Sequence, residues 1–113
     1  MHEFSLAMNI VNIAEKEVKK AKAEHVTKIN LLIGDCAGVE MSSFEFAWPL
    51  ATRQSVLEKA KMNIKKIRGK ALCRDCNTNF DLEQLYDPCP VCGSFSKDIY
   101  QGKEFLVESI TVI

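Results

Sequence analysis

Apolar residues over the first two dozen positions return every three or four: Phe4, Ala7, Met8, Val11, Ala14, Val18 and Ala21, with Leu6, Ile10 and Ile13 broadening the stripe. Lys16, Lys19, Lys20 and Lys22 take the other side, so the spacing predicts an amphipathic helix over residues 5 to 23, capped by Ser5. Phe4 and Met8 on that stripe read as core packing. The period then changes to two. Ile29, Leu31 and Ile33 alternate with Lys28, Asn30 and Leu32, which predicts a strand from Val26 to Ile33 that ends at Gly34. Ser42-x-x-Glu45 has the form of a capping box, with Met41 and Phe46 placed as its hydrophobic staple, so a second helix is predicted from about Ser43. Pro49 removes a backbone donor inside it, and the helix should be short or kinked, ending near Arg53 or Gln54. Ser55 caps one further turn. Ala60, Met62 and Ile64 alternate with Lys61, Asn63 and Lys65 in a second strand running toward Gly69. Residues Glu104 to Ile113 alternate again, as a third.

The last strand decides the layout. A segment this apolar would be an aggregation-prone free edge on a small ribbon, so it is expected to return and pair with the strands before the cysteines. The predicted fold is α+β: two helices on a three-stranded sheet, with a four-cysteine zinc ribbon inserted. One domain is then discontinuous, residues 1–69 completed by 103–113, and the other spans 70–102.

The inserted stretch carries the strongest chemical signal. Cys73-Arg74-Asp75-Cys76, twelve residues, then Cys89-Pro90-Val91-Cys92-Gly93 sets two ligand pairs within one small unit. Two residues between cysteines let a tight turn aim both sulfurs at one ion, and a second turn completes a tetrahedron. A two-stranded ribbon closing on itself spans the gap. Zinc is the default ion, and four thiolates leave no open position for water or substrate, so the site is read as structural. Iron in a rubredoxin-like knuckle and a redox dithiol are the competing chemistries.

Charge narrows the partners. The 113 residues hold 15 Lys+Arg and 15 Asp+Glu, so no net field gathers phosphate or anionic lipid, and nucleic-acid binding is disfavoured. No stretch approaches the ~20 apolar residues of a membrane span. No secretory segment is recognised at the start, and free cysteines fit a reducing cytoplasm. No phosphate loop, catalytic serine motif or paired carboxylate is found, which argues against an enzyme.

Met1-His2-Glu3 is the second place for chemistry. A bulky second residue leaves the initiator methionine in place, one residue before an imidazole. The Met1 amine, the His2 amide and the His2 ring can lie in one plane, with the Glu3 amide or another donor in a fourth position. That set suits square-planar nickel(II) or copper(II). A frayed terminus with no ligand role is the competing reading. Among other residues, Cys36 reads as a small buried hydrophobe, Trp48 as core or interface, and His25 as a residue near the negative end of the first helix. Glu40 reads as a solvated loop acid, or as an extra oxygen donor toward the amino terminus.

Met1-His2-Glu3-Phe4-Ser5, the run from Val26 to Gly34, Ser43-Phe44-Glu45-Phe46-Ala47, the two cysteine pairs and the final strand together resemble the HypA/HybF family of hydrogenase nickel-insertion proteins. The resemblance covers essentially the whole chain; Cys36 and Pro49 depart from its pattern. It implies a nickel metallochaperone that delivers Ni(II) to the large subunit of [NiFe]-hydrogenase with a maturation GTPase. Some members also serve urease through its accessory proteins. By the same resemblance His2 is the essential nickel ligand, the Met1 amine and the His2 and Glu3 backbone nitrogens are co-ligands, and Cys73, Cys76, Cys89 and Cys92 hold zinc. A monomer or a homodimer is compatible with it. The rival from another class is a zinc-ribbon module that binds protein or nucleic acid, with Met1-His2-Glu3 incidental.

Overall fold

The structure, a computed structural model, describes residues 3–113. Helix α1 (Glu3–Lys20) is followed by strand β1 (Val26–Gly34), helix α2 (Met41–Thr52) and strands β2 (Lys61–Ile67), β3 (Gly69–Cys73), β4 (Asn79–Leu82), β5 (Lys97–Gln101) and β6 (Phe105–Val112). The chain divides into two compact units. The first comprises the described residues through Leu31, with Val39–Ile64 and Val107–Ile113; the second comprises Leu32–Gly38 and Lys65–Leu106.

In the first unit α1 buries Ala7, Ile10, Val11, Ala14 and Val18, the inner part of the stripe that the 3.6-residue period marks, and packs on α2, whereas Phe4, expected in the core, lies at the helix start and is 50% exposed. Glu3 is already helical, so Ser5 lies inside α1 and does not cap it. The helix stops at Lys20 because the chain turns left-handed at Lys22 (φ 55°), where the Lys22 N–H reaches the Lys19 carbonyl and the Ala23 N–H reaches that of Val18. Those two bonds satisfy the last open carbonyls in the manner of a Schellman turn. Helix α2 starts at Met41, earlier than the Ser42 box predicts. Glu40 takes the capping role, its carboxylate accepting from the Ser42 and Ser43 N–H groups at 3.0 and 3.3 Å. A carboxylate at a helix start satisfies open donors and meets the positive end of the dipole, and its longer reach displaces the hydroxyl of Ser42 from that role. The expected staple does not form, since Phe46 is 76% exposed, while Phe44 fills the core beside Trp48 with ring centroids 5.8 Å apart. Pro49 is accommodated inside a helix that ends at Thr52.

Strand β1 is central in a sheet ordered β2-β1-β6. Thr27 bonds to Thr111 and Asn30 to Ser109, so β6 runs antiparallel to β1. Asn30 pairs with Asn63, and Asp35 with Ile67, so β2 runs parallel to β1. A parallel neighbour needs a crossover, and α2 supplies it. The return of the last strand to the sheet is therefore realised.

The second unit holds a separate antiparallel sheet ordered β4-β3-β5, three strands where a two-stranded ribbon is expected from the cysteine spacing. Three glycines meet in it. A Cβ on Gly34 would sit 1.9 Å from the Gly102 carbonyl oxygen, and one on Gly102, whose φ is 109°, would sit 2.5 Å from Gly69 Cα. That closeness lets the Cys36 N–H reach the Gly102 carbonyl at 2.7 Å. A backbone neighbour cannot yield as a side chain can. Gly34→Ala is accordingly expected to lower unfolding free energy by about 3 kcal/mol, at the upper end for overpacking. Urea unfolding followed by far-ultraviolet circular dichroism checks it, and unchanged midpoints would refute the close-packing account.

Candidate metal centre

Two turns of the second unit are built alike. Strand β3 ends at Cys73, whose N–H bonds to the Thr78 carbonyl at 2.9 Å while the Asn77 N–H returns to the Cys73 carbonyl at 3.0 Å. At the other turn the Cys89 N–H bonds to the Ser94 carbonyl and the Gly93 N–H returns to Cys89, each at 2.8 Å. The fourth residue after each first cysteine is left-handed, Asn77 at φ 60° and Gly93 at φ 77°. Asn and Gly are the residues that enter that region most cheaply. Side chains tie the turns together: the Ser94 hydroxyl donates to Asp75, Arg74 pairs with Asp98 at 2.9 Å, and Lys97 Nζ donates to the Asp87 carbonyl at 2.9 Å.

These turns bring together the four cysteines singled out by spacing. Their Sγ atoms all lie within 4.8 Å of one another, with Cys73 to Cys92 at 3.5 Å and Cys76 to Cys89 at 3.6 Å. A tetrahedron with metal–sulfur bonds of about 2.3 Å has sulfur–sulfur edges of about 3.8 Å, so the donor set fits a tetrahedral, thiophilic ion such as zinc. Cys73 and Cys89 are buried, Cys76 is half-buried and Cys92 faces outward. The Thr78 hydroxyl, 3.1 Å from Cys76 Sγ, and the Thr78 N–H pull the Cys76 thiol down to about 6. At Cys92 the Ser94 N–H favours the thiolate, but hydrogen bonding with the Cys73 thiol, desolvation and the Cys76 and Cys89 thiols outweigh it and push the pKa up to about 12. Adjacent thiols thus share protons, since four thiolates at this separation repel one another. A divalent cation removes the conflict by replacing those protons.

Cys36 lies in the apolar cluster with Ala71, Cys73, Phe80, Leu82 and Cys89, but it is not one of the four converging donors. Burial, then the Asp35 and Asp87 carboxylates, push its thiol up, as suits a buried small hydrophobe. Met1 and His2, two of the expected nickel ligands, lie outside the described residues. Glu3 is described: it is buried, and its Oε2 accepts the Glu40 backbone N–H at 3.1 Å, joining the starts of α1 and α2. Glu40 therefore does approach the amino-terminal segment, through its backbone, while its carboxylate serves α2 and is held below the usual range by the Ser42 hydroxyl and the Ser43 and Ser42 N–H groups. The sequence points Glu40 toward the amino terminus as an oxygen donor, but nothing in it signals that Glu3 would accept the Glu40 N–H across 37 positions. Thr78 and Ser94 were legible in principle, since each stands five places after the first cysteine of its pair.

A family model described as "Hydrogenase/urease nickel incorporation, metallochaperone, hypA" matches residues 1–112. A hydrogenase maturation factor HypA of Francisella philomiragia is 48% identical over 110 residues, covering 97% of each chain, and that of Parabacteroides distasonis is 41% identical over 112 residues, covering 99% of this chain and 97% of its own. The solution structure of the Ni metallochaperone HypA from Helicobacter pylori superposes with a TM-score of 0.69 at 26% identity, covering 100% of this chain and 98% of that one. No helix among the described residues is long and apolar enough to cross a membrane.

Loss of one of the four donors leaves an incomplete tetrahedron. Cys76→Ser is expected to weaken metal binding at this site by at least about a hundredfold, the top of the range seen for lesser changes around a metal. Competition with a chromophoric chelator reads the affinity, and an unchanged affinity contradicts the site.

Proposed function

The chain belongs to the HypA family of nickel-incorporation metallochaperones, and from that membership we propose that it carries Ni(II) at its amino terminus to the large subunit of a [NiFe]-hydrogenase. The family match over residues 1–112, which includes Met1-His2-Glu3, is the observation that carries the proposal. Nickel is cargo here. The Met1 amine, the His2 amide and imidazole and the Glu3 amide supply nitrogen donors in the plane that Ni(II) prefers. Two features of the described residues support this. Glu3 is the first helical residue, so its N–H has no acceptor within α1, and the positive end of the helix dipole favours loss of protons there. The Glu3 carboxylate is anchored on Glu40, which steadies the start of the helix.

Cys73, Cys76, Cys89 and Cys92 hold zinc as a structural ion in the second unit, and the nickel donors belong to the start of the chain that leads into α1. The zinc site is closed and takes no part in transfer. The amine and imidazole, with ordinary pKa values of about 7.7–8.0 and ~6.5, compete with nickel for protons near neutrality, so the cargo is held reversibly. The protein catalyses no reaction of its own. Nucleotide-driven control falls to a maturation GTPase, and urease accessory proteins are a second class of partner. The setting is a reducing cytoplasm.

The chelate needs a free amine and an imidazole at the second position. His2→Ala, or a tag fused before Met1, is expected to weaken Ni(II) binding at least tenfold, about 1.4 kcal/mol, with zinc content unchanged. Isothermal titration of untagged protein with Ni(II), paired with metal analysis, reads both quantities. Identical nickel isotherms for wild type and His2→Ala would sink the proposal.

A further inference from the structure

The sheet order β2-β1-β6 leaves β6 paired on one side only, so its other edge faces no strand among the described residues. Beside it lies a groove of about 340 Å³, walled by Ile13, Glu17 and Ala21 along one ridge of the first helix and by residues 107–110 and 112 of β6. Ile13 is 45% exposed in it, and Val107, Ile110 and Val112 are half-buried. An apolar strand with an open edge is ordinarily covered, or guarded by charge. The charges here have one sign: Glu17 and Glu108 are acidic, no basic residue lines the groove, and neither glutamate enters a salt bridge among the described residues.

That combination specifies the occupant. An open strand edge bonds to extended backbone; Glu108 shares its strand face with Ile110 and Val112, so that face asks for apolar side chains and, at positions two apart from them, cations. A second copy of this chain is disfavoured, because two β6 strands paired antiparallel about their midpoint would bring one Glu108 close to the other. We propose that the edge of β6 between Val107 and Val112 and the groove beside it take an extended segment of another protein, which turns apolar residues and lysine or arginine toward the groove on one and the same face, as a fourth strand of the sheet. The proposal stands apart from nickel binding. It uses only residues of the first unit and of β6.

The test is an NMR titration of the full metal-loaded chain with the peptide acetyl-Thr-Val-Thr-Lys-Thr-Val-Thr-Lys-Thr-amide, which sets Val and Lys on one face, and with the same peptide bearing Glu for Lys. The expected result is shifted and exchange-protected amides between Val107 and Val112, with the lysine peptide bound at least about tenfold more tightly at low salt. The double variant Glu17→Lys/Glu108→Lys, both exposed positions, should reverse that preference while keeping its circular dichroism. Shifts absent from β6, equal affinity for the two peptides, or a variant that keeps the wild-type preference would each overturn the proposal. So would dimerisation through β6 in the absence of peptide.

Discussion

Four sulfurs held within 4.8 Å of one another are a demanding arrangement, because each thiolate formed raises the cost of the next. The opposed displacements of Cys76, down to about 6, and Cys92, up to about 12, express that tension. Much of the second unit is arranged around it. The buried members of its apolar cluster include two large side chains, Phe80 and Leu82, with Ile99 partly buried against them, and two others, Cys73 and Cys89, belong to the quartet itself. A core this small depends on its staple, and a tetrahedral cation is the staple that four thiols accept. The paired turns, the left-handed Asn77 and Gly93, and the links from Asp75 to Ser94 and from Arg74 to Asp98 all serve to hold the sulfurs in place.

The same physics separates the two metals of the proposed function. Soft thiolates in a closed tetrahedron hold a thiophilic ion firmly, whereas amine, amide and imidazole in a plane suit nickel and release it when protons return. A chaperone needs both behaviours, and the proposed function assigns them to different donors. In the first unit the carboxylate of Glu3 accepts the Glu40 N–H, and the carboxylate of Glu40 caps α2, so the start of one helix is fixed to the start of the other.

The sequence is most legible where one physical rule dominates. The period of three to four apolar residues marks α1, alternation marks β1 and β6, and Cys-x2-Cys twice marks the metal quartet. It is least legible where two rules compete. Ser42 has the spacing of a cap, yet Glu40, with a longer side chain and a full charge, takes the N–H groups. Lys97–Gln101 pairs as β5 with only Ile99 and Tyr100 as apolar or aromatic signal, because its partner β3 and the turns of the metal site impose the strand from outside. The end of α1 at Lys20 follows from a left-handed lysine, which composition does not announce. The contact of Glu3 with Glu40 depends on tertiary packing alone.

The central claim is that two metals sit on two chemically distinct donor sets in one chain. X-ray absorption at the nickel and zinc edges of untagged protein loaded with both ions tests it most directly. Zinc should show four sulfur neighbours at about 2.3 Å, and nickel should show only nitrogen and oxygen in its first shell. Sulfur at the nickel edge, or zinc without its four sulfurs, would contradict the account.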